Sequence, residues 1–340
     1  MEKILIIGGT GSLGKKLIKR LGSTYELVVY SRDESKHWTI QNELRSSGTK
    51  ISFRVGDIRD KQRVNQVIQE TRPEIIIMAA ALKQVDTCEL SPRESILTNL
   101  IGTQNVIDVV EDLNRSSMFS YAPKKVLFVS TDKACSPANV YGMCKAISER
   151  YVTSKAADEN LVTQFVGVRY GNVLESRGSI IPLFKYQSEN AEAFTVTHEG
   201  MTRFLMTLDD SVDLIQHALA EGKSGEIWIP RLKAMLIKDL AEIYSKMYSK
   251  PIKYIGLRPG EKLHESLLND SESVRTRDTG VHYVIGPAFE SPKTEKMFEY
   301  TSADDVMSKE ELRNYLESIH IFDKNLSDFE GKSIEEIRTK

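Results

Sequence analysis

The sequence predicts an α/β fold: a doubly wound parallel sheet followed by a smaller C-terminal substrate-binding lobe. Three observations predict it. Short β-rich runs at residues 4–7, 27–30, 51–55, 75–78, 126–129 and 165–168 alternate with amphipathic stretches at 13–21, 62–70, 96–113 and 141–156. The runs are apolar without polar alternation, as expected of strands buried on both faces by covering helices. A glycine-rich turn joins the first run to the first amphipathic stretch.

After about residue 170 the rhythm loosens, and Gly178, Pro182, Gly200, Gly222, Gly225, Pro230, Pro251, Pro259 and Gly260 punctuate shorter elements. Helices are expected at 208–220 and 237–248. The division expected is residues 1–170 for a nucleotide-binding domain, with core strands and helices interleaved to about 250. Residues 171–323 are then mainly the substrate lobe, and 324–340 a polar, poorly ordered tail.

With 340 residues the chain can bury a sizeable core, and 40% apolar residues plus 20 glycines fit a globular class. Lys+Arg 46 against Asp+Glu 48 gives a net charge of −2, so no global field draws nucleic acid or an anionic membrane. Cys88, Cys135 and Cys144 are odd in number and form no C-x-x-C, which points away from disulfides and zinc and toward a reducing cytoplasm. His198, His217, His264, His282 and His320 lack metal-ligand spacing, so no metal is expected. No run of about 18 apolar residues is present to cross a membrane.

The turn reads Gly8-Gly9-Thr10-Gly11-Ser12-Leu13-Gly14, spaced G-x-x-G-x-x-G between strand and helix. Such a turn lets the backbone approach a pyrophosphate, whose charge is met by amides at the helix N-terminus. The second strand runs into Ser31 and Arg32, where an NAD-selective site usually carries an acid for the ribose 2′-hydroxyl. A guanidinium there, assisted by Lys36, suits a 2′-phosphate, so NADP is the expected cofactor. Asp57 and Ile58 after the third strand are placed at the adenine edge, and Ala79 and Ala80 after the fourth allow close backbone approach.

Tyr141 and Lys145 form Y-x-x-x-K on one helix face, a phenol and an ammonium suited to taking a hydroxyl proton. Before them stands Ser130-Thr131-Asp132-Lys133. A plain alcohol dehydrogenase or C4 epimerase needs only the hydroxyl. Asp132 and Lys133 add an acid and a base, which elimination of water next to a ketone requires.

These motifs resemble the extended short-chain dehydrogenases/reductases, and within them the UDP-N-acetylglucosamine 4,6-dehydratases that invert C5. The likeness runs over roughly residues 3–285. It is carried by the glycine turn, Ser31 to Glu34, Gly56 to Asp60, Ala79 to Lys83, Thr98-Asn99, Ser130 to Ala134, Tyr141 to Lys145, Arg169 to Val173, Arg177 to Ser179, Met201 to Phe204 and Arg258 to Glu265. The resemblance implies that Tyr141, helped by Thr131 and Lys145, deprotonates the C4 hydroxyl, that Lys133 removes the C5 proton and that Asp132 protonates the departing C6 hydroxyl. It adds Lys83, Asn99 and Val173 to the cofactor contacts, and assigns Lys83, Asn172, Gly178, Ser179, Arg203, Arg258 and Glu261 to the UDP-sugar.

It further implies a Rossmann-type sheet, a first step toward deoxy-amino sugars of surface glycans, and a homodimer or larger assembly pairing the helices at 96–113 and 141–156. Two departures stand out: Met78 where many relatives have histidine, and Cys144 where serine or threonine is common. The rival expectations are a UDP-sugar 4-epimerase, a retaining dehydratase or one acting on another nucleotide hexose, and, in a different class, a non-catalytic NADP-binding regulatory protein.

Overall fold

The computed structural model describes residues 1–116, 121–176 and 178–325. Arg177 and most of the polar tail therefore lie outside the described residues.

The strands are β1 (Lys3–Ile7), β2 (Glu26–Ser31), β3 (Ile51–Val55), β4 (Ile75–Met78), β5 (Lys125–Val129), β6 (Gln164–Val168), β7 (Phe194–Val196), β8 (Thr202–Phe204), β9 (Ile227–Pro230), β10 (Ala234–Leu236), β11 (Ile252–Tyr254), β12 (Ser266–Leu268), β13 (Thr276–Asp278), β14 (His282–Ile285) and β15 (Tyr300–Thr301). The helices are α1 (Ser12–Leu21), α2 (Glu34–Glu43), α3 (Lys61–Thr71), α4 (Val85–Leu90), α5 (Pro92–Ser95), α6 (Gly102–Arg115), α7 (Val140–Ser154), α8 (Ile180–Asn190), α9 (Leu208–Glu221), α10 (Ile237–Tyr248), α11 (Asp270–Ser273) and α12 (Lys309–Ser318).

Nine strands form one sheet in the order β13-β14-β9-β6-β5-β4-β1-β2-β3. The stretch β3-β2-β1-β4-β5-β6 is parallel and reverses direction of winding at β1, the doubly wound order of dinucleotide-binding folds. The expected six strands all form. Beyond them β9 joins in parallel, and β14 and β13 close the edge as antiparallel strands.

The runs of β1, β2, β4, β5 and β6 are buried because alternate residues face two separate cores, whereas the edge strand β3 alternates Ile51, Phe53 and Val55 with Ser52 and Arg54 and is only partly buried, against one core. Ile4 and Ile6 of β1 pack with Leu17, Ile18 and Leu21 of α1 and with Ile215 of α9. Leu5 and Ile7 pack on the other side with Val64 and Ile68 of α3 and Val106 and Val110 of α6. Met78 is 2% exposed within that second core, where its unbranched thioether fills space between helices.

The expected helix at 96–113 begins as a π-helical stretch, Ile96–Ile101, before α6. The one expected at 141–156 is α7 followed by a 3₁₀ turn, Lys155–Ala157. The smaller lobe is built on an aromatic cluster of Phe184, Phe194 and Tyr244, with ring centroids 5.4 to 5.8 Å apart. Among the described residues no helix is long and apolar enough to cross a membrane.

Candidate active site

The site lies outside the carboxyl ends of the parallel strands, at the switch in strand order. At β1 the turn is forced by Gly8, whose φ is +88° and where a Cβ would come within 2.6 Å of the Ala80 backbone. The segment with Ala79 and Ala80 thus lies directly against the turn, and Ala79 N donates to Ile7 O at 2.9 Å.

Helix α1 follows with Gly11 at its N-cap, no capping side chain and no acid in its first turn. By contrast, α2 and α3 are capped by Asp33 and Asp60. The first amides of α1, from Ser12, Leu13 and Gly14, are left for an outside anion, so this turn fits a dinucleotide pyrophosphate.

At the end of β2, Thr10 Oγ1 donates to Ser31 Oγ at 3.2 Å, and Ser31 Oγ bonds His37 Nε2 at 2.7 Å. Arg32 stands 64% exposed with Nη1 3.9 Å from Asp57 Oδ2. Lys36 is paired with Asp33 at 3.2 Å. Ile58 is buried. Asn99 uses its whole amide on protein: Oδ1 accepts from Leu82 N at 2.8 Å, and Nδ2 donates to Leu82 O at 2.9 Å and to Ser95 Oγ at 3.0 Å. It buttresses the loop carrying Lys83, whose Nζ donates to Ser176 Oγ at 3.2 Å.

The chemical groups follow β5. Ser130 N and Asp132 N donate to Val168 O and Tyr170 O at 2.8 and 3.0 Å, carrying the pairing with β6 past the end of the strand. Thr131 Oγ1 donates to Asp132 Oδ1 at 2.8 Å, and Lys133 Nζ lies 3.1 Å from the same oxygen. Lys133 Nζ is also 3.3 Å from Glu265 Oε1.

Helix α7, capped by Asn139, seats Tyr141 against this turn, 7% exposed. Lys145 Nζ points to the Val129 carbonyl at 2.6 Å and lies 3.9 Å from the centroid of the Phe128 ring. Burial of Cys144 at 4% exposure makes it a packing residue before Lys145.

The electrostatics divide the groups. Burial pushes the Tyr141 phenol up to about 12, opposed by the Lys133 charge and the Thr131 hydroxyl. Burial lowers Lys145 to about 7. Burial works against the Lys133 ammonium, but Asp132 and Glu265 outweigh it and hold it above the ordinary lysine value. Burial, and next to it the Glu265 charge, raise Asp132 against the pull of Lys133. The resting site therefore holds a protonated lysine beside a carboxylate that is readily protonated.

On the substrate side, Arg203 is 7% exposed, with Nη1 donating to Thr202 O at 2.7 Å and Nη2 3.6 Å from Glu261 Oε1. Arg258 is exposed, and its backbone N–H donates to Glu261 Oε2 at 3.2 Å. Ser179 Oγ donates to Leu174 O at 2.5 Å, and Val173 is buried in a bridge with Met206. At Gly178 φ is +73°.

Ser130 Oγ, Asp132 Oδ2, Asn172 Oδ1 and Glu265 Oε2 are buried without a hydrogen-bond partner among the described residues. Four such atoms on the segments that follow β5 and β6 and on the facing lobe mark a place built to bind a polar ligand.

Sequence reasoning singled out Tyr141, Thr131, Asp132 and Lys133, and the structure brings them together. It missed two groups. Glu265 closes the Arg258 to Glu265 run, and the signal was a second acid four residues after Glu261. His37, five residues after Arg32, was passed over among the histidines; it is 5% exposed and tied to Ser31.

A doubly wound sheet with an uncapped glycine turn and a Tyr-x-x-x-Lys helix at its carboxyl edge defines an extended short-chain dehydrogenase/reductase. Within that class the chain belongs to the polysaccharide biosynthesis protein family, whose signature spans residues 4–287. It is 38% identical over 292 residues to the UDP-N-acetylglucosamine 4,6-dehydratase (inverting) of Campylobacter jejuni subsp. jejuni serotype O:2, covering 84% of this chain and 83% of that one. It is 37% identical over 293 residues to a UDP-glucose 4-epimerase of Rickettsia prowazekii, covering 84% and 82%. The X-ray structure of Pen from Bacillus thuringiensis superposes with a TM-score of 0.85 at 34% identity, over 94% of this chain and 98% of that chain.

Proposed function

We propose that this chain is an NADP-dependent UDP-N-acetylglucosamine 4,6-dehydratase that inverts C5, working on the way to deoxy-amino sugars of surface polysaccharides. The observation that carries the reading is the acid–base pair: Lys133 Nζ lies 3.1 Å from Asp132 Oδ1, beside the Tyr141 phenol. An epimerase, the second reading, is favoured by the Rickettsia relative's name; its chemistry needs Tyr141 and Thr131 and leaves this buried pair without a task.

NADP+, held by the glycine turn and Ala79–Ala80, would supply a hydride acceptor for C4 and a hydride donor for C6, and its positive ring would favour the Tyr141 phenolate. Tyr141 accepts the C4 hydroxyl proton, with Thr131 holding the oxygen by a hydrogen bond. Lys133 passes a proton to Asp132, giving the neutral amine and the carboxylic acid that elimination needs. The amine removes the C5 proton; the acid gives its proton to the C6 oxygen as that C–O bond breaks and water leaves. Lys133 ends as ammonium and Asp132 as carboxylate, so the elimination restores the resting charges. As hydride adds at C6, a water beside Lys133 gives a proton to the opposite face of C5 and so inverts that centre, and the hydroxide left takes the proton held by Tyr141, restoring water and the phenolate.

Gly8, Thr10, Gly11, Ser12, Leu13, Gly14, Ala79 and Ala80 would hold the dinucleotide, with Ser31, Arg32 and Lys36 toward the 2′-phosphate. The absence of an acid at Ser31 and the exposed guanidinium of Arg32 support NADP. Lys83, Asn172, Arg203, Arg258 and Glu261 would meet the UDP-sugar. On α7, Met143 and Ile147 are 48% and 54% exposed one turn apart, which supports a homodimer pairing that helix. Three buried cysteines joined by no disulfide among the described residues suit a reducing cytoplasm. The test is incubation with UDP-N-acetylglucosamine, followed by mass for loss of water; an isomer of unchanged mass would select the epimerase.

A further inference from the structure

Glu265 stands apart from the groups that the reaction uses directly. Its backbone is clamped in the small lobe: Glu265 N donates to Ser302 Oγ at 2.9 Å, and Ser302 N donates to Glu265 O at 2.8 Å. The side chain, 3% exposed, reaches from that lobe to the turn after β5, with Oε1 3.3 Å from Lys133 Nζ and 3.8 Å from Arg203 Nε. Its second oxygen is buried and accepts no hydrogen bond among the described residues. The charge of this carboxylate is thus met by Lys133 and Arg203. Burying an ion this way is costly unless a partner charge is kept beside it.

We propose that Glu265 is a positioning residue for elimination: it holds the Lys133 ammonium between two carboxylates from two lobes and sets the pH at which Lys133 becomes a base. The proposal rests on the dehydratase reading for its catalytic consequence, but not for the charge coupling itself. Asp132 arrives from the sheet edge and Glu265 from the substrate lobe, so a shift of that lobe on substrate binding changes one of the two anions facing Lys133. The charged and titratable groups facing Lys133 are Asp132, Glu265, Arg203 and the Tyr141 phenol; those facing Glu265 are Lys133, Arg203, Lys262 and Asp132.

The sign follows from the contacts. Removing the Glu265 charge takes an anion from 3.3 Å of the ammonium, so Lys133 loses its proton at lower pH. It also relieves Asp132 of a like charge, so Asp132 ionises at lower pH. Elimination needs neutral Lys133 and protonated Asp132. Its whole pH window therefore moves in the acid direction, by about one to three units for charges this close.

Glu265→Gln keeps the shape and removes the charge; Glu265→Asp keeps the charge. The pH profile of solvent-deuterium entry at C5 is measured for both variants and for the intact enzyme, with C4 oxidation followed separately in a single turnover. The expected result is a profile displaced to lower pH in Glu265→Gln and restored toward the original in Glu265→Asp, with deuterium entry at C5 falling by a larger factor than C4 oxidation. Loss of both steps together with an undisplaced profile would overturn the proposal, because a merely structural glutamate acts that way.

An NMR titration of the Lys133 ε-amine in lysine-labelled holoprotein, assigned with Lys133→Arg, decides the coupling even if the enzyme proves not to dehydrate. The ammonium should persist to the alkaline end of the range in the intact protein and titrate within it in Glu265→Gln. An ammonium equally persistent in both rejects the role of Glu265 and leaves the dehydratase reading to its own test.

Discussion

Gly142 and Lys133 touch through the backbone: a Cβ on Gly142 would fall 2.1 Å from the Lys133 carbonyl oxygen. This contact sets helix α7 flush on the turn that carries Asp132 and Lys133, and so fixes Tyr141 against Thr131. Gly142→Ala must push the two apart. The expected outcome is a loss of stability of about 1–3 kcal/mol in urea denaturation, and a fall in kcat of about a hundredfold, in line with displacement of positioned groups by about 1 Å. Wild-type turnover in a fully folded Gly142→Ala would refute this coupling.

On the proposed NADP reading, cofactor choice rests on Arg32 at the end of β2. Arg32→Asp replaces the exposed cation by a like charge for a 2′-phosphate, so NADP affinity should fall at least tenfold while NAD affinity changes little. Calorimetric titration of both cofactors into both proteins measures it. Equal affinity of the unaltered protein for NAD and NADP would contradict the assignment.

The oxidation and the elimination should separate by mutation. Lys133→Ala should retain C4 oxidation, seen as the absorbance of reduced nicotinamide in a single turnover, while deuterium entry at C5 falls at least a hundredfold. Tyr141→Phe should suppress both. Deuterium entry at the normal rate in Lys133→Ala would show that the C5 base is another group.

A buried ion network behind the site should govern acid stability. Arg169, 1% exposed, bonds Glu149 at 2.6 and 3.0 Å and Glu272 at 2.7 and 2.8 Å. Burial would raise Glu272, but Arg169 outweighs it and the carboxyl stays below its ordinary value. Its contribution is therefore present at neutral pH, above the unfolded glutamate pKa of about 4.3, and is lost as pH falls through the lower folded value. Arg169→Met takes the bidentate cation from both buried carboxylates, leaving Glu272 only Arg150 at 3.7 Å, and should cost about 3–5 kcal/mol at pH 7. Denaturant titration at neutral and acidic pH should find that difference shrinking as the acids protonate.

What the sequence made legible follows physical lines. Five of the six parallel strands were readable because each is an apolar run facing two cores, the edge strand β3 because Ile51, Phe53 and Val55 alternate with Ser52 and Arg54, and the glycine turn because its spacing reports backbone geometry. Helix α2 was not, since only His37 and Ile40 of its ten residues are buried and Trp38 is 69% exposed, which leaves no amphipathic period. Strands β13 and β14 were hidden as well: Thr276–Asp278 is a three-residue, largely polar edge strand recognisable only by its antiparallel partner. Tyr141, Thr131, Asp132 and Lys133 were visible as a local motif. Glu265 reaches Lys133 across 132 positions of sequence, and the direction of the Lys145 ammonium toward Val129 is set by packing, so neither relationship was written in any local pattern.

On the proposed reading, the buried Asp132–Lys133 pair makes this chain a dehydratase that inverts C5. NMR of the first product formed from UDP-N-acetylglucosamine in D2O, taken before chemical epimerisation of the ketone, tests it most directly. The expected result is loss of water, ring couplings of the L-arabino 4-keto sugar, one deuterium at C5, and the hydrogen from C4 now at C6 of the same molecule. A D-xylo sugar as the first species would contradict inversion, and a C4 epimer that keeps all its oxygens would contradict dehydration itself.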